Sequence, residues 1–250
     1  MRLTILGSGT NVHPRRAAAG YLVKTDHLLL LDFGPRTLAK LIALGVNRHR
    51  IQHILFSHLH ADHVADFIPF FFDAVFYSKF VRRRPDLTIL GPRGTRRLFT
   101  WMLKTFPGFD AARFTTHIRE VRDEVFFIGR TRILAQTVKH SPNLHCLGFR
   151  VEYGGKALVY SGDAMYCTSL VELCRDATVA VLDCSFPANR PGPNHLHAGD
   201  CGRVAHEARV QQLVLSHFYP IAERYDVRAQ AGRLFAGRIL KGRDGLSLTL

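Results

Sequence analysis

The sequence predicts an α/β fold of four layers built on two β-sheets, and three observations carry that prediction. Short apolar runs bounded by Gly, Pro and Asp recur along the whole chain, each of strand length and rich in Val, Ile, Leu and Phe. They come in consecutive groups with helical patterns set between the groups, which does not suit a single doubly wound sheet with strict alternation. Of the 250 residues 47% are apolar, enough to fill a substantial core.

In chain order, strands are expected at 3–6, 21–23 and 28–31, a helix at 37–43, then a strand at 54–56 and a helix at 64–72. A strand at 87–90 and a helix at 93–105 follow. Strands at 125–128, 133–138, 146–151 and 157–160 then come without a helical pattern between them, so they should pair with one another. The remainder alternates: helix 169–174, strand 179–182, helix 198–208, strand 213–215 and helix 228–235. Neither an internal repeat nor a low-complexity linker divides the chain, so residues 1–250 are read as one domain.

Lys and Arg outnumber Asp and Glu by 34 to 20, a formal charge of +14. Such a surplus favours anionic partners, either RNA or a smaller phosphorylated molecule, although a basic surface can also serve solubility alone. Lys79, Arg82, Arg83, Arg84, Arg93, Arg96 and Arg97 concentrate part of it; whether they hold a phosphate backbone or form a solvated face stays open. Cys146, Cys167, Cys174, Cys184 and Cys201 lack paired C-x-x-C spacing and read as reduced, buried residues. No run of eighteen apolar residues occurs and the first residues lack a secretory pattern, so the expectation is a cytoplasmic protein that does not span a membrane.

Chemistry concentrates in ILFSHLHADHVADF. His58, His60, Asp62 and His63 follow an apolar strand and precede a helical stretch, so they share one strand-to-helix turn. A lone His is usually a satisfied core residue, but three with an Asp on one turn suit a divalent metal, zinc above all, with manganese, iron and nickel also accepting this donor set. Two cations about 3.5–4 Å apart need further ligands. His140, Asp163 and His217 each end an apolar run and lead into a loop, where an α/β sheet presents its active site.

These motifs, together with LTILGSGTNVHP, LLLLDFGPRT, YSGDA, LDCSF and HLHAGDCGRVAHEARVQQLVLSHFYP, resemble the metallo-β-lactamase fold superfamily, and more narrowly its ribonuclease Z and related phosphodiesterase branch. The resemblance implies a four-layer αββα sandwich and two metal ions, most suitably Zn2+. It implies that His58, His60 and His140 bind the first metal, that Asp62, His63 and His217 bind the second, and that Asp163 bridges them, with Asp32 behind the cluster orienting a ligand. A hydroxide held between the cations would attack a phosphodiester, Asp62 would accept a hydrogen bond from it, and His195 paired with Asp183 would protonate the leaving oxygen. His197 is a near neighbour, and His195 is the preferred position. Relatives of this size are commonly dimers, with the Phe-rich stretch around Phe67, Phe70, Phe71, Phe72 and Phe76 either core or a contact surface.

Two departures bear on substrate. Members that process tRNA carry a glycine- and proline-rich arm between the third and fourth metal motifs; here the segment between His140 and Asp163 reads as a strand pair. His60 stands where redox di-iron relatives carry Glu, which argues for hydrolysis. A phosphodiesterase therefore leads, with hydrolysis of a thioester, lactone or other carbonyl substrate on the same metals as the alternative. A non-catalytic nucleic-acid-binding module would be expected to have lost ligands.

Overall fold

A computed structural model describes residues 1–82 and 84–250; Arg83, one of the cations of the basic run, lies outside the described residues. The chain begins with β1 (Arg2–Gly7), β2 (Gly20–Lys24) and β3 (Leu28–Leu31), then α1 (Thr37–Ala43), β4 (His53–Leu55), α2 (Ala61–Val64) and α3 (Phe67–Ser78). Next come β5 (Leu87–Gly91), α4 (Thr95–Thr105), β6 (Thr116–Glu120), β7 (Glu124–Ile128), β8 (Thr131–Val138), β9 (Cys146–Tyr153) and β10 (Lys156–Tyr160). The chain finishes with α5 (Thr168–Cys174), β11 (Val179–Asp183), α6 (Ala198–Glu207), β12 (Gln212–Ser216), α7 (Val227–Gly232), β13 (Arg238–Lys241) and β14 (Ser247–Thr249).

The strands form two seven-stranded mixed sheets, ordered β14-β1-β2-β3-β4-β5-β6 and β13-β12-β11-β10-β9-β8-β7. Successive side chains of a strand point to opposite faces, and the core obeys that rule. In β11, Val179 and Val181 enter an apolar layer with Leu3, Leu31, Ile133 and Phe149 between the sheets. Their neighbours Ala180 and Leu182 enter a second layer with Leu170, Val204 and Val227 of α5, α6 and α7. A third layer packs Ile54 and Ile89 of the first sheet against Leu41, Phe67, Phe71 and Met102 of α1, α3 and α4. Three apolar layers separate four structural ones, so the expected αββα sandwich is what the burial pattern builds.

Three strands have no counterpart in the sequence reading. β6 (THIRE), β13 and β14 are edge strands without a fully buried residue; each packs only one or two half-buried apolar side chains on the core, Ile118, Ile239 with Leu240, and Leu248, too few to show as an apolar run. The helix expected over 64–72 is two helices. The backbone between them bonds elsewhere, His63 O accepting from Phe33 N at 2.7 Å and Asp66 N donating to Phe33 O at 3.0 Å.

The basic run is also divided. Arg84 is buried, its guanidinium over the Phe114 ring at 4.2 Å, and burial lowers its pKa to about 10, so it belongs to the interior and not to the surface patch. Lys79, Arg82, Arg93, Arg96 and Arg97 remain exposed. Of the Phe-rich helix, Phe67, Phe70 and Phe71 are core while Phe72 and Phe76 face outward, each more than half exposed. All five cysteines are free and buried. Among the described residues no helix is long and apolar enough to cross a membrane.

One ion-pair network pins the end of β12 from behind. Glu223 accepts from Arg16 Nε at 2.6 Å and from Lys241 Nζ at 2.8 Å, and both cations lie over the buried Phe218 ring. Burial alone would raise the Glu223 pKa, but Lys241 and Arg16 pull it from 4.5 down to about 2. A depressed carboxylate contributes stability that is present above its unfolded pKa and is lost as pH falls through the folded one. Glu223→Gln is therefore expected to cost about 1–2 kcal/mol at pH 7, after allowance for partial exposure. Unfolding curves of variant and wild type should converge as pH drops from about 4.5 towards 2.

Candidate metal centre

The expected ligands gather at the C-terminal ends of β4, β8, β10 and β12, where the two sheets meet. Glycines make the approach possible at two points. Gly34 lies so close to the α2 turn that a Cβ there would fall 1.9 Å from the carbonyl oxygen of Asp62. Gly162 has φ +58, and its Cβ would meet Leu147 O at 2.7 Å and Ser57 Cβ at 2.8 Å, so only glycine delivers Asp163 to its position without strain.

His58, His60, His140 and Asp163 each offer a ligand atom within 4.8 Å of the others, and so do Asp62, His63 and His217. Asp163 faces both groups with different oxygens. Its Oδ2 is 3.6 Å from His58 Nε2 and 3.8 Å from His140 Nε2; its Oδ1 is 3.2 Å from His63 Nε2 and 3.3 Å from His217 Nε2. Asp62 Oδ2 lies 3.6 Å from His217 Nε2.

Four of the imidazoles are oriented by what their Nδ1 atoms touch. His63 Nδ1–H donates to Asp32 Oδ2 at 2.7 Å and His140 Nδ1–H donates to the carbonyl of Asn194 at 2.6 Å, acceptors that settle both tautomers. His58 Nδ1 is 3.0 Å from Ser57 Oγ, and His217 Nδ1 is 3.1 Å from Ser185 Oγ. Their Nε2 atoms consequently point inward. His60 reverses the arrangement, its Nδ1 lying 3.0 Å from His58 Nε2 and 3.4 Å from His140 Nε2. Asp32, fully buried with φ 56, accepts from Ser57 N, Ser57 Oγ and Tyr160 O–H as well as His63. It stands behind the cluster as expected, orienting His63.

This arrangement fits cations. In their neutral tautomers His63 Nε2 and His140 Nε2 turn lone pairs towards His217 Nε2 and His60 Nδ1 at 3.3–3.4 Å, so the inward nitrogens converge closely enough to share a proton or a cation. Among the described residues the buried Oδ1 of Asp163 has no hydrogen-bond partner, a costly omission for a carboxylate oxygen. Donor separations of this size are those of atoms sharing one ion with bonds of about 2.0–2.1 Å. Burial opposes charge on His63, but the Asp163 and Asp32 carboxylates outweigh it and raise its pKa to about 10. His58, without a comparable surplus of carboxylates, is pushed well down by burial and by His63.

Beside the cluster, His195 Nδ1–H donates to Asp183 Oδ2 at 2.8 Å. Burial would lower the pKa of His195, but the Asp183 carboxylate more than offsets it and the net shift is upward. Asp183 is itself fixed, its Oδ1 accepting from Ser185 N and Oγ and its Oδ2 from Ala164 N. His195 lies 3.9 Å from Asp163 Oδ2, so by distance Asp183 and His195 also group with Asp163 and His217. His197 instead starts α6, its Nδ1 accepting from Asp200 N at 3.1 Å. The structure thus brings every expected site residue together and leaves His197 outside. Ser185, Asn194, Phe186 and Tyr219 also border the site without having been singled out. Ser185 and Phe186 lie within LDCSF and Tyr219 within LVLSHFYP, motifs that assign those positions no role; Asn194 acts through its backbone, which residue type does not reveal. Residues 141–162 form mainly the β9–β10 hairpin, so no arm stands there.

A profile of the β-lactamase superfamily domain matches residues 27–218. An uncharacterized protein of Mycobacterium leprae is 33% identical over 96% of this chain and 85% of its own length. A protein of Mycobacterium marinum named ribonuclease Z is 30% identical over 98% of this chain and 96% of its own. Among solved structures, the metallo-β-lactamase fold protein YhfI from Bacillus subtilis superimposes with a TM-score of 0.85 at 25% identity, covering 99% of this chain and 98% of that one.

Proposed function

This chain belongs to the metallo-β-lactamase superfamily, and on that premise we propose that it is a dimetal phosphodiesterase of the ribonuclease Z-like kind. His58, His60 and His140 would hold one divalent cation, Asp62, His63 and His217 the other, and Asp163 both. Nitrogen-rich donors with few carboxylates suit zinc best. When bound, the cations supply an acidified water at neutral pH and neutralise charge developing on the phosphoryl oxygens.

The protein's own groups supply the rest. Asp62, at the first turn of α2, accepts a hydrogen bond from the attacking water, and His63 and His217 hold its carboxyl well below the usual range, so it stays an acceptor. His195, whose pKa the Asp183 carboxylate raises, donates its Nε2 proton to the departing oxygen.

The single observation that carries the phosphodiester reading is that His195–Asp183 pair. An alkoxide departs poorly unless it is protonated, whereas a thiolate, whose thiol has a pKa near 8.5, leaves unaided. A half-buried imidazole held by a buried carboxylate beside the cluster is therefore suited to the ester of a poor leaving alcohol. The formal charge of +14 favours an anionic substrate in the same direction.

Purified without chelator, the protein is expected to carry about two metal ions per chain by elemental analysis. It should hydrolyse bis-p-nitrophenyl phosphate in preference to a thioester or a lactone, and lose that activity on chelation. Two metals with turnover of carbonyl substrates alone would overturn the substrate class; a metal-free, inert protein at all zinc and manganese concentrations would overturn the site.

A further inference from the structure

Two aromatic rings adjoin the proton donor and have no part in the chemistry above. Phe186 and Tyr219 lie nearly parallel, centroids 5.0 Å apart and planes 13° from each other. His195 is 6.0 Å from the Phe186 centroid and 5.7 Å from that of Tyr219, steeply inclined to both at 62° and 70°. A ring so nearly equidistant from two stacked rings sits against the rim of the stack and over neither outer face. Gly192 crowds Phe186, since a Cβ at Gly192 would fall 2.3 Å from its ring carbons. Phe186 thus packs against both the Gly192 backbone and Tyr219. Tyr219 is half-buried, next in sequence but one to His217.

We propose that Tyr219, backed by Phe186, is a stacking platform for a planar group on the departing side of the substrate. It selects esters whose leaving alcohol carries a nucleobase or similar flat ring. The side follows from position: the stack abuts His195, which faces the leaving oxygen, so a flat group reaching Tyr219 must belong to the departing half. Every nucleobase offers a π-face, so such a platform prefers flat groups without choosing among bases, and one stacked base contributes about five- to hundredfold in binding. The assignment rests on the phosphodiesterase reading for the identity of the leaving group.

The test uses the metal-loaded protein and two phosphodiesters that differ only in the presence of adenine on the departing deoxyribose. Wild type should favour the base-bearing diester in kcat/KM by about ten- to hundredfold. Tyr219→Leu should abolish that ratio, while Tyr219→Phe and Tyr219→Trp should preserve it. No preference in the wild type, or equal slowing of both diesters by Tyr219→Leu, would make the ring a mere shield for His217 and overturn the proposal. A second arm needs no turnover: calorimetric binding of deoxyadenosine monophosphate against deoxyribose 5-phosphate, in wild type and Tyr219→Leu. If neither diester is hydrolysed, the phosphodiesterase reading falls. A base-dependent gain in binding that Tyr219→Leu removes would still uphold the platform, and equal binding would refute it.

Discussion

Asp163→Ala is expected to lower kcat/KM by at least about 10³-fold and to leave fewer than two metal ions on each chain. The reason is geometric. Asp163 turns one oxygen towards each ligand group, 3.6 and 3.8 Å from His58 and His140 on one side and 3.2 and 3.3 Å from His63 and His217 on the other. Shortening it removes a donor from both groups and a negative charge from among several imidazoles. Asp163→Asn separates these losses, since the amide keeps the shape and one carbonyl oxygen but not the charge. It should retain more metal than the alanine variant and still turn over poorly. Elemental analysis, steady-state kinetics and thermal unfolding, measured together, decide the matter: a folded Asp163→Ala protein with two metals and near-normal turnover would remove Asp163 from the site.

His195→Ala should behave differently, slowing turnover by about 10²–10⁴-fold while both metals stay bound. The loss should depend on the leaving group. A diester of an alkyl alcohol needs its departing oxygen protonated and should suffer the full loss, whereas p-nitrophenoxide leaves readily and should show a far smaller one. Asp183→Asn should repeat the pattern in milder form, because the amide cannot hold His195 as an imidazolium. Equal losses on both esters would show that His195 positions substrate or ligands and does not deliver a proton.

Most of the strands and helices, and every residue of the proposed centre, were legible before the fold was known. Buried strands advertise themselves as apolar runs, and ligands at strand ends as polar residues that interrupt them. The edge strands β6, β13 and β14, with one or two apolar residues each, had no such run, and the break between α2 and α3 follows from hydrogen bonds to Phe33, a residue distant in sequence. Arg84 misleads for a related reason: in the sequence it continues a basic run, while in the fold it lies under Phe114, and no local rule separates a buried guanidinium from an exposed one.

By itself the sequence determined the layer architecture and a candidate donor set, because residue type and spacing along strands carry that information directly; the pairing of His195 with Asp183 came with the family resemblance. Only the tertiary structure decided how the donors are aimed. Which nitrogen of each imidazole points inward depends on Asp32, Ser57, Ser185 and the Asn194 carbonyl. Which oxygen of Asp163 serves each group, and which aromatic rings border the leaving side, likewise depend on chain segments far apart in sequence. Orientation is a property of contacts between such segments, and those contacts exist only once the two sheets have packed.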